Sequence, residues 1–160
     1  MSDVRTAEWM GSWAPLRVYV AGNSSERGER AKPVIEKLRN AGCVITYDWT
    51  VAVDEFGANA VGETQARLSA SRDLAGVRGA DVVLALAPET GGCGMWIEVG
   101  AAFALGIPVL FSCPEPNRTI FSRLALARFE SDHFAVAYLL EMHRQGRPSR
   151  TSQTGSEDGT

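Results

Sequence analysis

Residues 80–111 of the chain read ADVVLALAPETGGCGMWIEVGAAFALGIPVLF. The apolar run at 82–87 is closed by a proline and is typical of a strand buried on both faces of a parallel sheet. The glycines between residues 91 and 94 indicate a turn, because glycine adopts backbone conformations that other residues avoid. A helix is predicted over 95–105, where a glycine and a proline end it, and a second buried strand over 109–111. The segment therefore predicts a β–loop–α–β unit.

Glu98 is the only charged residue between Thr90 and Ser112. The predicted helix bounds place it in the first helical turn, facing the carboxyl ends of the strands, where open α/β sheets bind ligands. The helix N-terminus favours the ionised form of this carboxyl group, while burial opposes it. A surface glutamate that complements the helix dipole fits the same position. Position alone leaves the functional and the structural interpretation open.

The rest of the chain repeats the alternation of strands and helices, which predicts an α/β fold with a doubly wound, Rossmann/flavodoxin-like parallel sheet of about five strands and helices on both faces. Residues 51–62 contain two glycines and no regular period, and they predict a loop that could serve as a lid. Further strands are predicted at 16–21, 43–47 and, weakly, 128–130, and further helices at 30–41, 63–77 and 134–143.

The length of 160 residues indicates one domain, predicted over residues 15–144. Residues 1–14 contain Trp9, Met10 and Trp13 without a clear period and are expected to form an N-terminal arm, either packed or unstructured. Residues 145–160 contain no large apolar side chain and are expected to be a disordered tail.

Composition excludes several classes of protein. The net charge of −3 and the absence of a basic stripe argue against nucleic-acid binding, and no apolar run reaches the ~20 residues of a membrane helix. Three cysteines are an odd number without metal-type spacing, and no apolar leader is present, so we expect a reduced, cytoplasmic protein. No GxGxxG motif, metal cluster or Ser-His-Asp set is found, so neither a cofactor nor a metal is expected.

Polar and aromatic residues follow the first two predicted strands. Asn23, Ser24 and Ser25 follow the first strand, and small hydroxyl residues suit a phosphate or ribose pocket because backbone N–H groups can approach closely. A plain turn with a serine cap explains them as well. Trp49 follows the second strand, where a nucleobase could stack on it, although packing is the commoner role of such a tryptophan.

Three motifs of the chain carry a family resemblance. They are the pattern G-x-W-[apolar]-E-[apolar]-G at 94–100, followed by AAFALGIPV, and the segments Arg72-Asp73-Leu74 and Tyr19-Val20-Ala21-Gly22. Together they resemble the nucleoside 2-deoxyribosyltransferase family, which includes the nucleoside 5'-monophosphate N-glycosidases. The first is similar to the motif that carries the family's nucleophilic glutamate, the second to its Asp-Leu pair and the third to its opening motif. The resemblance extends over roughly residues 17–140.

The resemblance implies that Glu98 attacks C1' of a nucleoside or nucleotide and forms a glycosyl-enzyme intermediate, which suits the oxocarbenium-like transition state of such reactions. Asp73 would help to protonate the departing base or orient the sugar, and Tyr19 would position Glu98. The intermediate would be released to water or to a second base. The family also implies a homodimer or larger homo-oligomer.

Candidate substrate-binding residues come from the strand ends and from the family pattern. Arg27, together with Arg30, would hold a 5'-phosphate, Arg118 is a second phosphate ligand that a neighbouring subunit could supply, and Glu89 is the candidate for reading the base. The full predicted set is Gly22, Asn23, Ser24, Ser25, Arg27, Trp49, Glu89, Gly92, Gly94, Met95 and Arg118.

Two functions of other classes remain open on the sequence. Glu98 at the edge of such a sheet also resembles bacterial Toll/interleukin-1 receptor domains that cleave NAD. A non-catalytic nucleotide-binding sensor is the other alternative, and it would gain thermal stability from a ligand without turning it over. The choice between hydrolase and transferase, the base, the sugar and the need for a 5'-phosphate also remain open.

Overall fold

A computed structural model describes residues 14–24, 28–57, 62–114 and 119–145. The predicted N-terminal arm, apart from Ala14, and the predicted tail, apart from Gln145, lie outside these residues. In chain order the elements are β1 (Arg17–Ala21), α1 (Ala31–Asn40), β2 (Val44–Ile45), α2 (Trp49–Phe56), α3 (Glu63–Arg78), β3 (Val82–Leu86), α4 (Cys93–Ala104), β4 (Val109–Ser112), a 3₁₀ turn (Ile120–Leu124), β5 (Ala127–Phe129) and α5 (Asp132–Gln145).

The five strands form one sheet in the order β2-β1-β3-β4-β5, and every neighbouring pair is parallel. The predicted doubly wound α/β fold is confirmed. β3 lies at the centre, and all five of its residues are buried, as the unbroken apolar run predicts for a strand covered on both faces. In the register, Tyr19 of β1 is opposite Val83 of β3.

The helices cover both faces of the sheet. α1 packs against α5, whereas α2 and α4 both pack against α3, so the two groups lie on opposite faces, as right-handed crossover connections require. α1 buries Val34, Ile35 and Leu38 at helical spacing. α3 is different, because only Gly76 and Val77 near its end are buried.

The prediction of a loop over 51–62 is wrong for its first part, because α2 spans Trp49–Phe56. Asp48 accepts a hydrogen bond from the Thr50 backbone N–H at 3.2 Å and so caps the helix. Trp49 and Val53, one turn apart, are the buried side. The short length hid this period in the sequence, and Gly57 ends the helix with a φ of 81°.

The start of α4 also differs from its prediction. The helix begins at Cys93, and Gly92, with a φ of 78°, lies at its N-cap. Gly94 is therefore helical, and Glu98 is the sixth helical residue, in the second turn rather than the first. Because the dipole effect fades beyond the first turn, burial is the stronger influence on the Glu98 carboxyl group.

Candidate active site

The sheet order reverses between β1 and β3, and a cavity of about 240 Å³ lies at this point. Ligands of open α/β sheets bind at such switch points, outside the carboxyl ends of the strands. The cavity walls come from the ends of β1 and β2 and from α2, α3 and α4. The lining residues are Gly22, Ser24, Tyr47, Trp49, Ala52, Val53, Gly57, Ala66, Ser69, Ala70, Asp73, Gly94, Met95 and Glu98.

Two carboxyl groups meet one phenol in this cavity. The Tyr19 hydroxyl donates a hydrogen bond to Glu98 Oε1 at 2.9 Å, and its oxygen lies 3.4 Å from Asp73 Oδ1. The other oxygen of Glu98, Oε2, is buried and has no hydrogen-bond partner among the described residues. Three elements that are distant in sequence, β1, α3 and α4, thus bring Tyr19, Asp73 and Glu98 together.

Burial raises the affinity of both carboxyl groups for a proton. It raises the pKa of Glu98 to about 8, with the charge of Asp73 as the second cause, and the hydrogen bond from Tyr19 opposes this rise. Burial also raises the pKa of Asp73 to about 6. Because the two groups interact, these pKa values describe the pair. Near neutral pH the pair therefore retains one proton.

Tyr19 stays protonated in this setting. Its side chain is fully buried, and burial, followed by the charge of Glu98, raises the pKa of its phenol well above the ordinary value. A neutral phenol has one proton to donate, and the shorter contact directs this proton to Glu98. Tyr19 can therefore fix the orientation of Glu98 without taking part in proton transfer.

The predicted substrate-binding residues divide into three groups. Gly22, Ser24, Gly94, Met95 and Trp49 line the cavity with the two carboxyl groups. Asn23, Glu89 and Gly92 are described but do not line it. Ser25, Arg27 and Arg118 lie outside the described residues.

Trp49 forms a fixed wall of the cavity. Its indole N–H donates a hydrogen bond to the Val20 carbonyl oxygen at 2.8 Å, and the residue is only 6% exposed. The ring packs so closely on Gly22 that a Cβ atom there would lie 3.0 Å from it. A tryptophan anchored in this way offers a ligand only the small part of its surface that lines the cavity.

Glu89 and Arg30 lie at a different cavity of about 500 Å³, beside the ends of β3 and β4. Arg30 contacts both carboxylate oxygens of Asp132, at 2.7 and 2.8 Å, and donates to the Ala87 carbonyl oxygen at 2.7 Å. The idea that Arg30 holds a substrate phosphate is therefore corrected, because its guanidinium group joins α1 to β3 and α5. Glu89 is exposed there and does not line the carboxyl cavity.

Apart from Asp73, the cavity wall that α3 provides was not predicted from the sequence. Ala66, Ser69, Ala70 and Asp73 all line the cavity. Their spacing of three and four residues places them on one face of the helix. This period was visible in the sequence, but its small and polar members did not look like a buried stripe. Tyr47, at the end of the second predicted strand, was also missed.

The described charges that line the cavity are acidic. Among the lining residues that the structure describes, Asp73 and Glu98 are the only carboxylic acids, and none is lysine, arginine or histidine. Within the described ranges, no three His, Cys, Asp or Glu side chains are grouped so that they could hold a metal ion. None of the helices in those ranges is long and apolar enough to span a bilayer.

Comparison with known families agrees with this geometry. The model of the nucleoside 2-deoxyribosyltransferase family matches residues 18–148, which include Tyr19, Asp73 and Glu98. No curated protein matches the chain significantly. The family match covers most of the chain and all three residues of the central cluster, so the chain belongs to the nucleoside 2-deoxyribosyltransferase family.

Proposed function

We propose that the protein cleaves the N-glycosidic bond of a (deoxy)nucleoside or its 5'-monophosphate through a covalent glycosyl-Glu98 intermediate. The observation that carries this proposal is the contact of Tyr19 with Glu98 at 2.9 Å beside Asp73, in a cavity at the topological switch point. Two carboxyl groups with raised pKa values, located in a cleft, are typical of catalytic sites.

In the first step Glu98 acts as the nucleophile. One oxygen of its carboxylate forms a bond to C1' as the C1'–N bond breaks and the bonding electrons move to the base nitrogen. Asp73 gives its proton to that nitrogen, directly or through a water molecule. The negative charge of Glu98 also stabilises the oxocarbenium-like transition state.

The second step regenerates the enzyme. A water oxygen, or a nitrogen of a second base, bonds to C1' as the ester bond to Glu98 breaks, and the electrons of that bond return to the carboxylate. Asp73 takes the proton of the incoming group. One pair of carboxyl groups thus serves both hydrolysis and transfer, and the acceptor that reaches C1' first decides the product.

The position of the shared proton sets the active form of the pair. The nucleophile must be ionised while Asp73 holds the proton, although burial gives Glu98 the higher pKa of the two in the free protein. Positive charge that develops at C1' lies next to Glu98 and favours its ionised form. The bound substrate therefore favours the form in which Asp73 holds the shared proton, and Asp73 then gives this proton to the departing base.

A substrate panel tests the proposed reaction. Ribo- and deoxyribonucleosides, their 5'-monophosphates and NAD are incubated with and without an acceptor base, and free base is measured by chromatography. Release of base from one class, and its loss in Glu98→Gln, supports the proposal. Release of nicotinamide from NAD alone would favour the Toll/interleukin-1 receptor alternative, and thermal stabilisation without any base release would favour a sensor.

We also propose that the chain forms a homodimer or larger homo-oligomer. An apolar groove of about 500 Å³ between α4 and the 3₁₀ turn is lined by Trp96, Phe103 and Phe121, among others. Phe121 and its neighbour Ile120 are 58% and 76% exposed, and clustered exposed apolar side chains mark interaction surfaces. Light scattering of the purified protein should give a dimer or larger, and Phe121→Ser should lower the mass. A wild-type monomer at micromolar concentration would refute this assignment.

A cytoplasmic location completes the proposal. Cys43 and Cys93 are free thiols, the first buried and the second exposed at the start of α4. Free thiols, one of them accessible, fit a reducing compartment. Cell fractionation of the producing organism should recover the protein with cytoplasmic markers, and recovery with periplasmic or secreted markers would contradict the proposal.

A further inference from the structure

Gly76 of α3 is in unusually close contact with β1 and with the segment after β2. A Cβ atom at this position would lie 2.7 Å from Cβ of Tyr47 and 2.9 Å from both Cδ2 and Cε2 of Tyr19. Carbon atoms pack at about 3.5–4.0 Å. α3 can therefore approach Tyr19 this closely only because residue 76 has no side chain.

Asp73 depends on this close approach. It precedes Gly76 by three residues, and residues three apart lie on the same face of a helix. Its Oδ1 is already 3.4 Å from the Tyr19 hydroxyl, close to the limit beyond which a contact is no longer a hydrogen bond. A retreat of α3 by about 0.5–1 Å, which the space for a methyl group requires, would break this contact.

The residues around Gly76 cannot move aside for a methyl group, so α3 itself would have to move. Cβ of Tyr47 is bonded directly to the backbone and moves only with it. Tyr19 is fully buried in the central part of the sheet, and its hydroxyl is held by Glu98 at 2.9 Å. Of the three elements in contact here, α3 is the least buried along its length, so it is the one that would move.

We propose that Gly76 is a positioning residue that sets the distance of Asp73 from Tyr19 and Glu98. This inference rests on the proposed function for its catalytic meaning, but the distance it describes is independent of turnover. Among the described residues, the titratable groups that face Glu98 are Tyr19 from β1 and Asp73 from α3. Moving Asp73 away therefore changes the titration of Glu98 directly.

The test compares Gly76→Ala with the wild type by carboxyl ¹³C NMR titration of Asp- and Glu-labelled protein, and by kcat, KM and pH profiles. The upper titration midpoint of the pair should fall in Gly76→Ala, because the charge of Asp73 recedes and water enters. On a substrate that the wild type cleaves, kcat should fall roughly 10- to 100-fold with a smaller change in KM, as for other displacements of about 1 Å. The basic limb of the kcat profile should move to lower pH.

Two control variants separate positioning from general damage. Gly100→Ala adds the same methyl group to α4, where a Cβ atom meets nothing within 4 Å, and it should leave the titration unchanged. Val77→Ala removes a buried side chain of α3 and should lower thermal stability without moving the titration midpoint. An equal midpoint shift in Val77→Ala would overturn the proposal.

An unchanged midpoint and unchanged kcat in Gly76→Ala would also overturn the proposal. If Gly76→Ala does not fold, Asp73→Asn is the deciding variant. The distance of Asp73 from Glu98 matters only if the charge of Asp73 affects the pKa of Glu98. An unaltered Glu98 titration in Asp73→Asn would therefore refute the inference. If the wild type cleaves nothing in the panel but the midpoint shifts as expected, the positioning role stands and the proposed function fails.

Discussion

Two carboxyl sites, one formed by Asp132 and the other by Glu98 and Asp73, lie at the same edge of the sheet and behave in opposite ways. Asp132 lies between Arg30 and Ser112; burial alone would raise its pKa, but hydrogen bonds from these two residues lower it. Glu98 and Asp73 have a phenol between them and no cation among the described lining residues, and burial raises both pKa values. The partner of a carboxyl group, and not burial, therefore decides whether the group serves structure or proton transfer.

The largest expected effect comes from removing the nucleophile. Glu98→Gln keeps the size of the side chain and can accept the Tyr19 hydrogen bond, but it cannot bond to C1'. Base release should fall by roughly 10³-fold or more, as for other catalytic groups. Chromatography on the best substrate of the panel measures the loss, and a variant with wild-type turnover would remove the mechanism.

Glu98→Gln is also expected to be more stable than the wild type, by an amount that depends on pH. The folded pKa of Glu98 lies above its ordinary value of 4.5, so the folded state binds more protons and the wild type loses stability as the pH rises from 4.5 towards 8. Glutamine does not ionise, so Glu98→Gln should melt at least a few degrees above the wild type at pH 9 and close to it at pH 4. Equal melting temperatures at both pH values would show that Glu98 is not buried as described.

A smaller loss of activity is expected from the proton donor. Asp73→Asn cannot protonate the departing base, and general acid catalysis contributes typically 10²–10⁴-fold, so kcat should fall by about 10²-fold or more. A substrate whose base leaves without a proton should lose much less. Equal losses on both kinds of substrate would assign Asp73 to orientation of the sugar instead.

Disruption of the ion pair between Arg30 and Asp132 should change stability rather than activity. Arg30→Met removes the guanidinium donor of Asp132 and of the Ala87 carbonyl oxygen, and we expect a loss of about 2 kcal/mol, less than for a fully buried pair because Arg30 and Asp132 are 29% and 27% exposed. Denaturant titration at pH 7 measures this change, and kcat per folded molecule should change less than about 10-fold.

Lys32→Met is the matched control, since it breaks a more exposed ion pair with Asp54 and should cost less stability, because solvent screens exposed ion pairs. The pKa of folded Asp132 is lowered, so its pair stabilises the fold above the ordinary aspartate pKa of 3.8, and the effect of Arg30→Met should shrink as the pH falls below that value. A cost of Arg30→Met no larger than that of Lys32→Met would remove the contrast between the two sites.

The pH dependence of kcat/KM in the wild type is expected to be the smallest of these effects. The kcat/KM of the free enzyme should show a bell-shaped pH profile with apparent pKa values of about 6 and about 8, which belong to the pair of carboxyl groups. Below the lower pKa both carboxyl groups hold protons and the nucleophile is lost, and above the upper pKa the proton for the base is lost. A flat profile between pH 5 and 9 would contradict the shared proton.

Much of this contrast could be predicted from the sequence, and the predictions that failed did so for physical reasons. The apolar runs at β3 and β4 predicted the parallel sheet because burial on both faces leaves a continuous signal. Motifs placed Tyr19, Asp73 and Glu98 in one group, and the structure brings them into contact. Arg30 was misassigned to a phosphate, because the distant Asp132 that pairs with it gives no local sequence signal.

The errors near the cavity share one origin. α2 was predicted as a loop because its eight residues show only one clear pair of buried positions, and short helices depend on tertiary packing more than on propensity. The start of α4 was placed two residues too late because glycine at 94 favours a turn in isolation. Gly76 could not have been singled out, since its importance comes from two tyrosines that meet it only in the fold.

The Tyr19, Asp73 and Glu98 cluster is mounted on β1, α3 and α4, whereas α2 contributes Ala52 and Val53 to the facing wall of the cavity. α2 makes none of the contacts within that cluster. If the proposed function holds, mutations in α2 are therefore expected to change which base is accepted without moving the cluster. A combinatorial library confined to Ala52 and Val53 is therefore the smallest one that could broaden the substrate range. Substitutions at the same two positions offer natural variants a way to change their substrate.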